Sequence, residues 1–254
     1  MRVRSLFISD AHMGSAYCAS AQLLEFIKEI DPENLYIVGD FIDGWKFARG
    51  FYWPSECSEI FHTVLKLATD RKVFYAIGNH DEFLRKIAPV VMGGIIIQET
   101  FDHTTVDGKN LWIRHGDALD AVVKYMAWLA HLGDRAMSWA LWMNRLTKKI
   151  QRKIGWRYWS FSNYLKRKIT GMLDSHFEEL ICKEAKALEY DGVICGHIHV
   201  PKLITNEDFI YGNCGDWVEN GTAIVEYEDG SLQLLRKGIG LSARPPIGGF
   251  DWPG

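Results

Sequence analysis

Five short motifs contain residue types that bind metal ions, and they follow one another along the chain. They are Asp10-Ala11-His12, Gly39-Asp40-Phe41-Ile42-Asp43, Gly78-Asn79-His80-Asp81, His115-Gly116-Asp117 and Gly196-His197-Ile198-His199. A mixture of carboxylate, imidazole and amide ligands suits Mn²⁺, Fe or Zn²⁺, whereas the absence of cysteine from these motifs argues against a thiolate structural zinc. Two such ions, roughly 3.5–4 Å apart, can hold a hydroxide between them and stabilise an in-line displacement at phosphorus.

The spacing within two motifs favours a shared cluster. Residues two apart on an extended backbone point to the same side, so Asp10 with His12, and His197 with His199, can each approach one group of ions. Five of the nine histidines fall in the motifs. The other four lie on helix-like or loop patterns and are predicted to have ordinary structural roles: His62, His103, His131 and His176.

Each motif taken alone has an ordinary alternative. Asp-x-His and Gly-Asp at a strand end are common in turns, and Asp43 could cap such a turn. Gly-Asn-His-Asp and Gly-His-x-His are more specific, because polar residues directly after buried strands are costly without partners, although a satisfied surface loop would also explain them. The complete ordered set is what predicts a metal site.

Apolar runs typical of strands lead into the motifs. Residues 3–9, 35–38 and 73–77 precede the first three motifs, and helical patterns near 21–30 and 56–68 lie between them. This alternation predicts an α/β sheet, and open sheets of that class gather their sites at the carboxyl ends of the strands. Further strand signals, with antiparallel turns at Asp107-Gly108 and Asp229-Gly230, predict a mixed strand order.

Residues 119–190 have a helical period without a strand signal, which predicts a helical cap inserted in a single domain of residues 1–254. Residues 119–170 carry a net charge of +9 and five of the ten tryptophans, in a chain whose total charge is -3. An aromatic, basic cap suits acyl chains and an anionic membrane surface. The alternative is that the aromatics form the core of the cap and the charges its solvated face.

Composition limits the class of protein. With 48% hydrophobic and 24% charged residues the chain is typical of globular proteins, and its net acidity argues against nucleic acid as a partner. Five scattered cysteines fit a reducing cytoplasm, and no export signal is evident. The most apolar stretch, 125–143, is interrupted by charged residues and does not reach the length of a membrane span. We expect a cytoplasmic protein that can lie at the periphery of the inner membrane.

The ordered motifs, from Asp10 to His199, resemble those of the calcineurin-like metallophosphoesterases. The resemblance implies an α/β (α+β) fold, a four-layer sandwich of two mixed β-sheets flanked by helices, with two divalent metal ions at the strand ends. One ion would be bound by Asp10, His12, Asp40 and His199, and the other by Asp40, Asn79, His115 and His197. Asp40 would therefore bridge the two ions, for which Mn²⁺ is the first choice.

His80 follows a ligand position and is the candidate to stabilise the transition state and to protonate the leaving oxygen. In the protein-phosphatase branch of the family an Asp three residues after the bridging Asp orients this histidine, and Asp43 holds that position here. Outer partners of this kind usually fix the orientation of a ring. Asp43 is therefore predicted to orient His80, with the capping role as the alternative.

Within the family, the chain is similar to the UDP-2,3-diacylglucosamine diphosphatases of lipid A biosynthesis and their Gly-Asn-His-Asp relatives. The segments that carry this likeness are 9–14, 39–45, 115–117, the insertion after them and 213–219. The resemblance implies hydrolysis of a pyrophosphate to UMP and a lipid 1-phosphate. The best-known branch has Arg where this chain has His80. Arg157, Asn163 and Lys166 share one helical face of the cap and are candidates to contact sugar and phosphate, with packing or solvation as the alternative for each.

Two other functions stay open on the residues alone. One is a phosphodiesterase or phosphatase that acts on nucleotides, small esters or phosphoproteins. The other is a non-catalytic scaffold, which the presence of every ligand position and of His80 disfavours.

Overall fold

The computed structural model describes residues 1–48, 50–119 and 175–238 of the 254-residue chain. The strands, in chain order, are β1 (Arg2–Ile8), β2 (Asp31–Val38), β3 (Lys72–Ala76), β4 (Val90–Met92), β5 (Ile95–Gln98), β6 (Thr100–Thr104), β7 (Asn110–Arg114), β8 (Gly192–Cys195), β9 (Lys202–Thr205), β10 (Ile210–Asn213), β11 (Thr222–Glu226) and β12 (Leu232–Arg236). The helices are α1 (Ser20–Glu29), α2 (Ser55–Leu67) and α3 (residues 175–187).

These strands form two mixed sheets, as the sequence predicts. The larger has the order β12-β11-β1-β2-β3-β5-β4, with β1, β2, β3 and β5 parallel and with β11 and β4 antiparallel to their neighbours. The smaller has the order β6-β7-β8-β10-β9, with β7, β8 and β10 parallel at its centre. Strands β1, β2 and β3 are thus parallel neighbours, and the first three motifs follow them at one edge.

Side chains alternate along the central strands and fill two separate cores. In β1, Leu6 and Ile8 face α1 and α2, whereas Phe7 faces the smaller sheet. Phe7 stacks on Tyr36, and Tyr36 stacks on Phe74, with ring centroids 4.8 and 4.6 Å apart. Because both faces are covered, these parallel strands are continuous apolar runs rather than alternating ones.

Helices cover the outer faces of both sheets. Leu23 and Ile27 of α1, and Ile60 and Val64 of α2, are four residues apart and fully buried in the core beside the larger sheet. Beside the smaller sheet, Glu184 of α3 pairs with Arg114 of β7 at 2.9 Å. The layers therefore run helices, sheet, sheet, helix, which is the predicted four-layer sandwich.

Two features differ from the sequence prediction or lie beyond it. The β4–β5 hairpin was not predicted, because its strands have three and four residues around Gly93 and Gly94, whose φ angles are 58° and 84°. The predicted cap, 119–190, falls mostly outside the described residues and stays a prediction, although residues 175–187 are helical. No helix within the three described ranges is long and apolar enough to cross a bilayer.

Candidate metal centre

Backbone hydrogen bonds bring the motif loops together. Beyond β1 and β2, the amide of Asp10 donates to the carbonyl of Gly39 at 3.1 Å, and the amide of His12 donates to the carbonyl of Asp40 at 2.9 Å. Beyond β7 and β8, the amide of Gly196 donates to the carbonyl of His115 at 3.1 Å. The motifs of both sheets are therefore held as continuations of parallel strand pairs.

The backbone is strained where the predicted ligands lie. Six described residues other than glycine have φ angles in the left-handed region, and five of them are predicted ligands: Asp10 (53°), His12 (48°), Asp40 (52°), His197 (72°) and His199 (56°). Such conformations cost of order 1–3 kcal/mol each and persist only when surrounding structure imposes them, which they do most often at functional sites.

Glycines at two motif positions allow the loops to approach the carboxylates. A Cβ atom on Gly196 would overlap Ser9 Oγ and Asp10 Oδ2, and a Cβ on Gly78 would overlap Asp40 Oδ1. The Gly-His-x-His and Gly-Asn-His-Asp loops can therefore close on these carboxylates only because neither glycine has a side chain.

The first cluster consists of Asp10, His12 and His199. His199 Nε2 lies 3.1 Å from Asp10 Oδ1 and 3.2 Å from His12 Nε2, and the distance from His12 Nε2 to Asp10 Oδ1 is 3.7 Å. Two imidazole nitrogens and one carboxylate oxygen thus converge on a single point. This arrangement suits a cation better than it suits mutual hydrogen bonds.

The second cluster consists of Asp40, His115 and His197. Asp40 Oδ2 lies 3.2 Å from His115 Nε2 and also 3.9 Å from His12 Nε2. Asp40 also forms a third group of potential metal ligands with His12 and His80. One carboxylate therefore lies between both groups of ligands, where the sequence predicts the bridge.

Buried polar atoms without hydrogen-bond partners indicate whether these residues are suited to bind metal ions. Among the described residues, three predicted ligands each have a buried side-chain atom without a hydrogen-bond partner: Asp10 Oδ1, Asn79 Oδ1 and His115 Nε2. A buried polar atom without a partner needs an explanation, and an ion supplies one. The donor set of oxygens and imidazole nitrogens also matches divalent transition metals, so the residues fit the ions that the family uses.

The remaining atom of each ligand is held by the protein. Asp10 Oδ2 accepts a hydrogen bond from the amide of His197 at 2.9 Å, and Asp40 Oδ1 accepts one from the amide of His80 at 2.8 Å. His115 Nδ1 lies 2.9 Å from the carbonyl of Val38, which fixes the tautomer that leaves Nε2 facing the cluster. These bonds aim the three ligand atoms before any ion binds.

The electrostatics of the site favour positive charge. Burial would lower the pKa of His115, but the carboxylates of Asp10 and Asp40 raise it to about 10. Burial would likewise raise the pKa of Asp10, but the nearby rings of His115, His12 and His199 hold it well below its usual range. A buried site in which carboxylates stay ionised and attract protons onto imidazoles is one that attracts metal cations.

His80 lies beside the clusters with its ring held on two sides. Its Nδ1 is 2.9 Å from Asp43 Oδ1, and Trp45 lies against the ring with centroids 3.8 Å apart. Asp43 precedes the 3₁₀ turn Gly44–Lys46 but its side chain makes no capping hydrogen bond there. The geometry therefore favours the orienting role of Asp43 over the capping role.

Several residues that support the loops were not predicted to matter. Asp81 accepts hydrogen bonds from Tyr75 Oη at 2.6 Å and from the amide of Phe41 at 2.9 Å, and so braces the loop that carries His80. Asn213 donates to the carbonyl of Gly196 at 2.8 Å, and Asn220 donates to the carbonyl of His199 at 3.0 Å. The asparagines at 213 and 220 were the available signal, but their side chains act on backbone groups that the sequence does not reveal.

The other residues considered in the sequence fall outside the described clusters. His103 is buried between Tyr36 Oη at 3.0 Å and Glu226 Oε2 at 2.8 Å, far along the sheet from the motif loops in a polar network of its own. His62 and His176 belong to none of the groups of potential metal ligands found among the described residues. Four residues lie outside the described ranges: His131, Arg157, Asn163 and Lys166.

The chain is similar to several known proteins. The family model described as calcineurin-like phosphoesterase matches residues 3–201. A UDP-2,3-diacylglucosamine hydrolase of Shewanella sp. (strain ANA-3) is 27% identical, and the alignment covers 90% of this chain and 95% of that protein. A UDP-2,3-diacylglucosamine hydrolase of Edwardsiella ictaluri (strain 93-146) is 26% identical, and the alignment covers 78% of this chain and 77% of that protein. Among solved structures, a novel archaeal phosphodiesterase aligns over 92% of this chain and 99% of its own, at 13% identity and a TM-score of 0.44. This chain belongs to the calcineurin-like phosphoesterase family, and it is a hydrolase that acts on phosphoester bonds.

Proposed function

We propose that this enzyme hydrolyses the pyrophosphate of UDP-2,3-diacylglucosamine to UMP and 2,3-diacylglucosamine 1-phosphate with the help of two divalent metal ions. The two-metal chemistry in this proposal rests on the position of Asp40 Oδ2, which lies 3.2 Å from His115 Nε2 and 3.9 Å from His12 Nε2. A carboxylate shared in this way suits a pair of ions better than a single one.

The clusters support the two ligand sets that the family resemblance implies. One ion would be held by Asp10, His12, Asp40 and His199, and the other by Asp40, Asn79, His115 and His197. When bound, such ions supply a water of lowered pKa as nucleophile and offset the charge that develops on the phosphoryl oxygens. Mn²⁺ is the first choice, with Fe and Zn²⁺ as alternatives, because the donors are oxygen and imidazole nitrogen without thiolate.

His80 acts on the leaving group in this proposal. Asp43 accepts the hydrogen bond from Nδ1, which leaves Nε2 on the side of the cluster, 4.0 Å from Asp40 Oδ2. From there Nε2–H can hydrogen-bond to a phosphoryl oxygen and give its proton to the departing oxygen. Asp43 keeps the ring in this orientation.

The choice of substrate is supported by the relatives and by composition. Both hydrolases named above align with this chain over most of their own length, and both are named for their action on UDP-2,3-diacylglucosamine. The basic, tryptophan-rich segment 119–170 suits acyl chains and an anionic membrane surface, and Arg157, Asn163 and Lys166 are its candidates for the sugar and phosphate. A phosphodiesterase or phosphatase on nucleotides, small esters or phosphoproteins is the alternative.

The test compares two substrates. The Mn²⁺-loaded protein should release UMP from UDP-2,3-diacylglucosamine at least tenfold more efficiently, in kcat/KM, than it hydrolyses a simple aryl phosphodiester; that ratio is about 1.4 kcal/mol of transition-state discrimination. Similar efficiencies would leave the phosphoesterase chemistry intact but would overturn the proposed substrate.

A second experiment addresses the cap. The native protein and a variant with Trp139→Ala and Trp142→Ala should differ in two ways: the variant should lose the preference for the diacyl over the deacylated substrate, and it should bind anionic vesicles more weakly. If the native protein shows neither the preference nor vesicle binding, the lipid part of the proposal is wrong.

A further inference from the structure

A cavity of about 340 Å³ opens beside the metal clusters. Its inner wall is formed by His12, His80 and His199, which belong to the site described above. Its outer wall contains residues for which the hydrolytic chemistry gives no role: Ser15, Tyr17, Trp45, Lys46 and Val218. The cavity falls in the size range of small-molecule sites, so its outer wall is where part of the substrate beyond the reacting phosphate would lie.

Two aromatic rings in this outer wall are unusually exposed. The exposed fraction is 63% for Tyr17 and 55% for Trp45, although rings of this size are normally largely buried. Tyr17 is held through its backbone, and Trp45 is held through one face of its ring. The amide of Tyr17 donates to Ser15 Oγ at 3.3 Å, and Trp45 lies on the His80 ring with centroids 3.8 Å apart. The exposed ring faces are therefore presented to the cavity by ordered neighbours.

The third feature is the ammonium group of Lys46. It is half-buried on the cavity wall, yet within the described part of the chain it has no ion pair or hydrogen bond. A half-buried lysine with an unpaired ammonium group, in the same cavity wall as two exposed aromatic rings, suits an anionic aromatic ligand.

We propose that Tyr17, Trp45 and Lys46 form a subsite for the nucleoside end of a nucleotide ester. The rings would stack on the base, and Lys46 would bind the phosphate attached to the nucleoside. This inference rests on the proposed function, because it assigns one end of that substrate to a part of the cavity. An acyl chain fits the wall less well, because it would bury Lys46 Nζ and Tyr17 Oη without polar partners.

The test measures binding, so that it does not depend on which ester the enzyme hydrolyses. Calorimetry of the Mn²⁺-loaded protein measures the affinities for UMP, ribose 5-phosphate and inorganic phosphate. Their comparison distinguishes the contribution of the base to binding from that of the phosphate. We expect UMP to bind about tenfold more tightly than ribose 5-phosphate, since stacking of a base on aromatic side chains has an effect of this order. Equal affinities for these two ligands in the native protein would overturn the proposal.

Variants of Tyr17 and Lys46 test whether these residues cause the preference for UMP. Tyr17→Ala should remove most of the preference for UMP while Tyr17→Phe keeps it, and Lys46→Ala should weaken UMP and ribose 5-phosphate alike. Phe47→Ala is the control, because Phe47 directly follows Trp45 and Lys46 in the chain and is as exposed as Trp45, at 55%, but does not line the cavity. A Tyr17→Ala protein that keeps the full preference for UMP would contradict the subsite.

The outcome separates this proposal from the proposed function. If UMP binds as expected but UDP-2,3-diacylglucosamine is not hydrolysed, the substrate is wrong and the nucleoside subsite stands. If Tyr17→Ala instead weakens binding of 2,3-diacylglucosamine 1-phosphate and leaves UMP unchanged, the rings contact acyl chains and the subsite proposal fails.

Discussion

The two sides of the metal centre differ sharply in burial. Around Asp40, the carboxylates and His115 are at most 2% exposed, and protein groups hold each ligand from behind. On the other side, the side chains of His80 and His199 are 20% and 35% exposed and face an open cavity. The buried side would hold the carboxylate shared by the ions, whereas the open side, which contains the predicted ligand His199 and the candidate acid His80, would meet the substrate. This difference explains why the motifs reveal the chemistry and leave the substrate open.

The largest effect should come from the buried side. Asp40→Ala removes the oxygen shared by both clusters, so both ions should be lost and hydrolysis should fall by more than the roughly 10²–10⁴-fold expected for loss of a general acid. Elemental analysis and kcat measure this, with circular dichroism to check folding. His62→Ala, on α2 and outside the groups of potential metal ligands, is the control that should keep both ions.

A change on the open side should separate catalysis from metal binding. His80→Ala should lower kcat by about 10²–10⁴-fold while metal content stays near that of the native protein, because His80 lies beside the clusters and is not needed to fill either ligand set. Asp43→Asn should lower kcat less, since the ring remains and only its ionised partner is lost. Loss of metal in His80→Ala would show that the two sides do not differ as described.

The smallest effect should come from the residues that hold the histidine loop. Asn220→Ala removes the hydrogen bond to the carbonyl of His199 at 3.0 Å, which supports a residue with a φ angle of 56°. Metal affinity should fall about 10- to 100-fold, as is usual when an outer partner of a ligand is lost. Competition with a metal chelator measures this shift. Asn206→Ala, in the loop between β9 and β10, should leave affinity unchanged.

Most of the strands and the meeting point of the motifs were predictable, because glycine and polar residues interrupt strongly apolar runs at the motifs. The two-sheet sandwich was implied by the family resemblance, and the short β4–β5 hairpin was missed. The supporting residues were not predictable. Asp81, Asn213 and Asn220 act through backbone amides and carbonyls, and their residue types are common in any turn. The contact of Trp45 with His80 joins loops 35 residues apart in sequence, and no periodicity predicts it.

The central claim is that Asp40 bridges two metal ions, and metal stoichiometry tests it most directly. The protein, stripped by a chelator, reloaded with saturating Mn²⁺ and freed of excess ion, should contain two ions per chain by elemental analysis, and activity should return as both are bound. A stoichiometry of one ion or fewer per chain, in a protein that is fully active, would contradict the bridge.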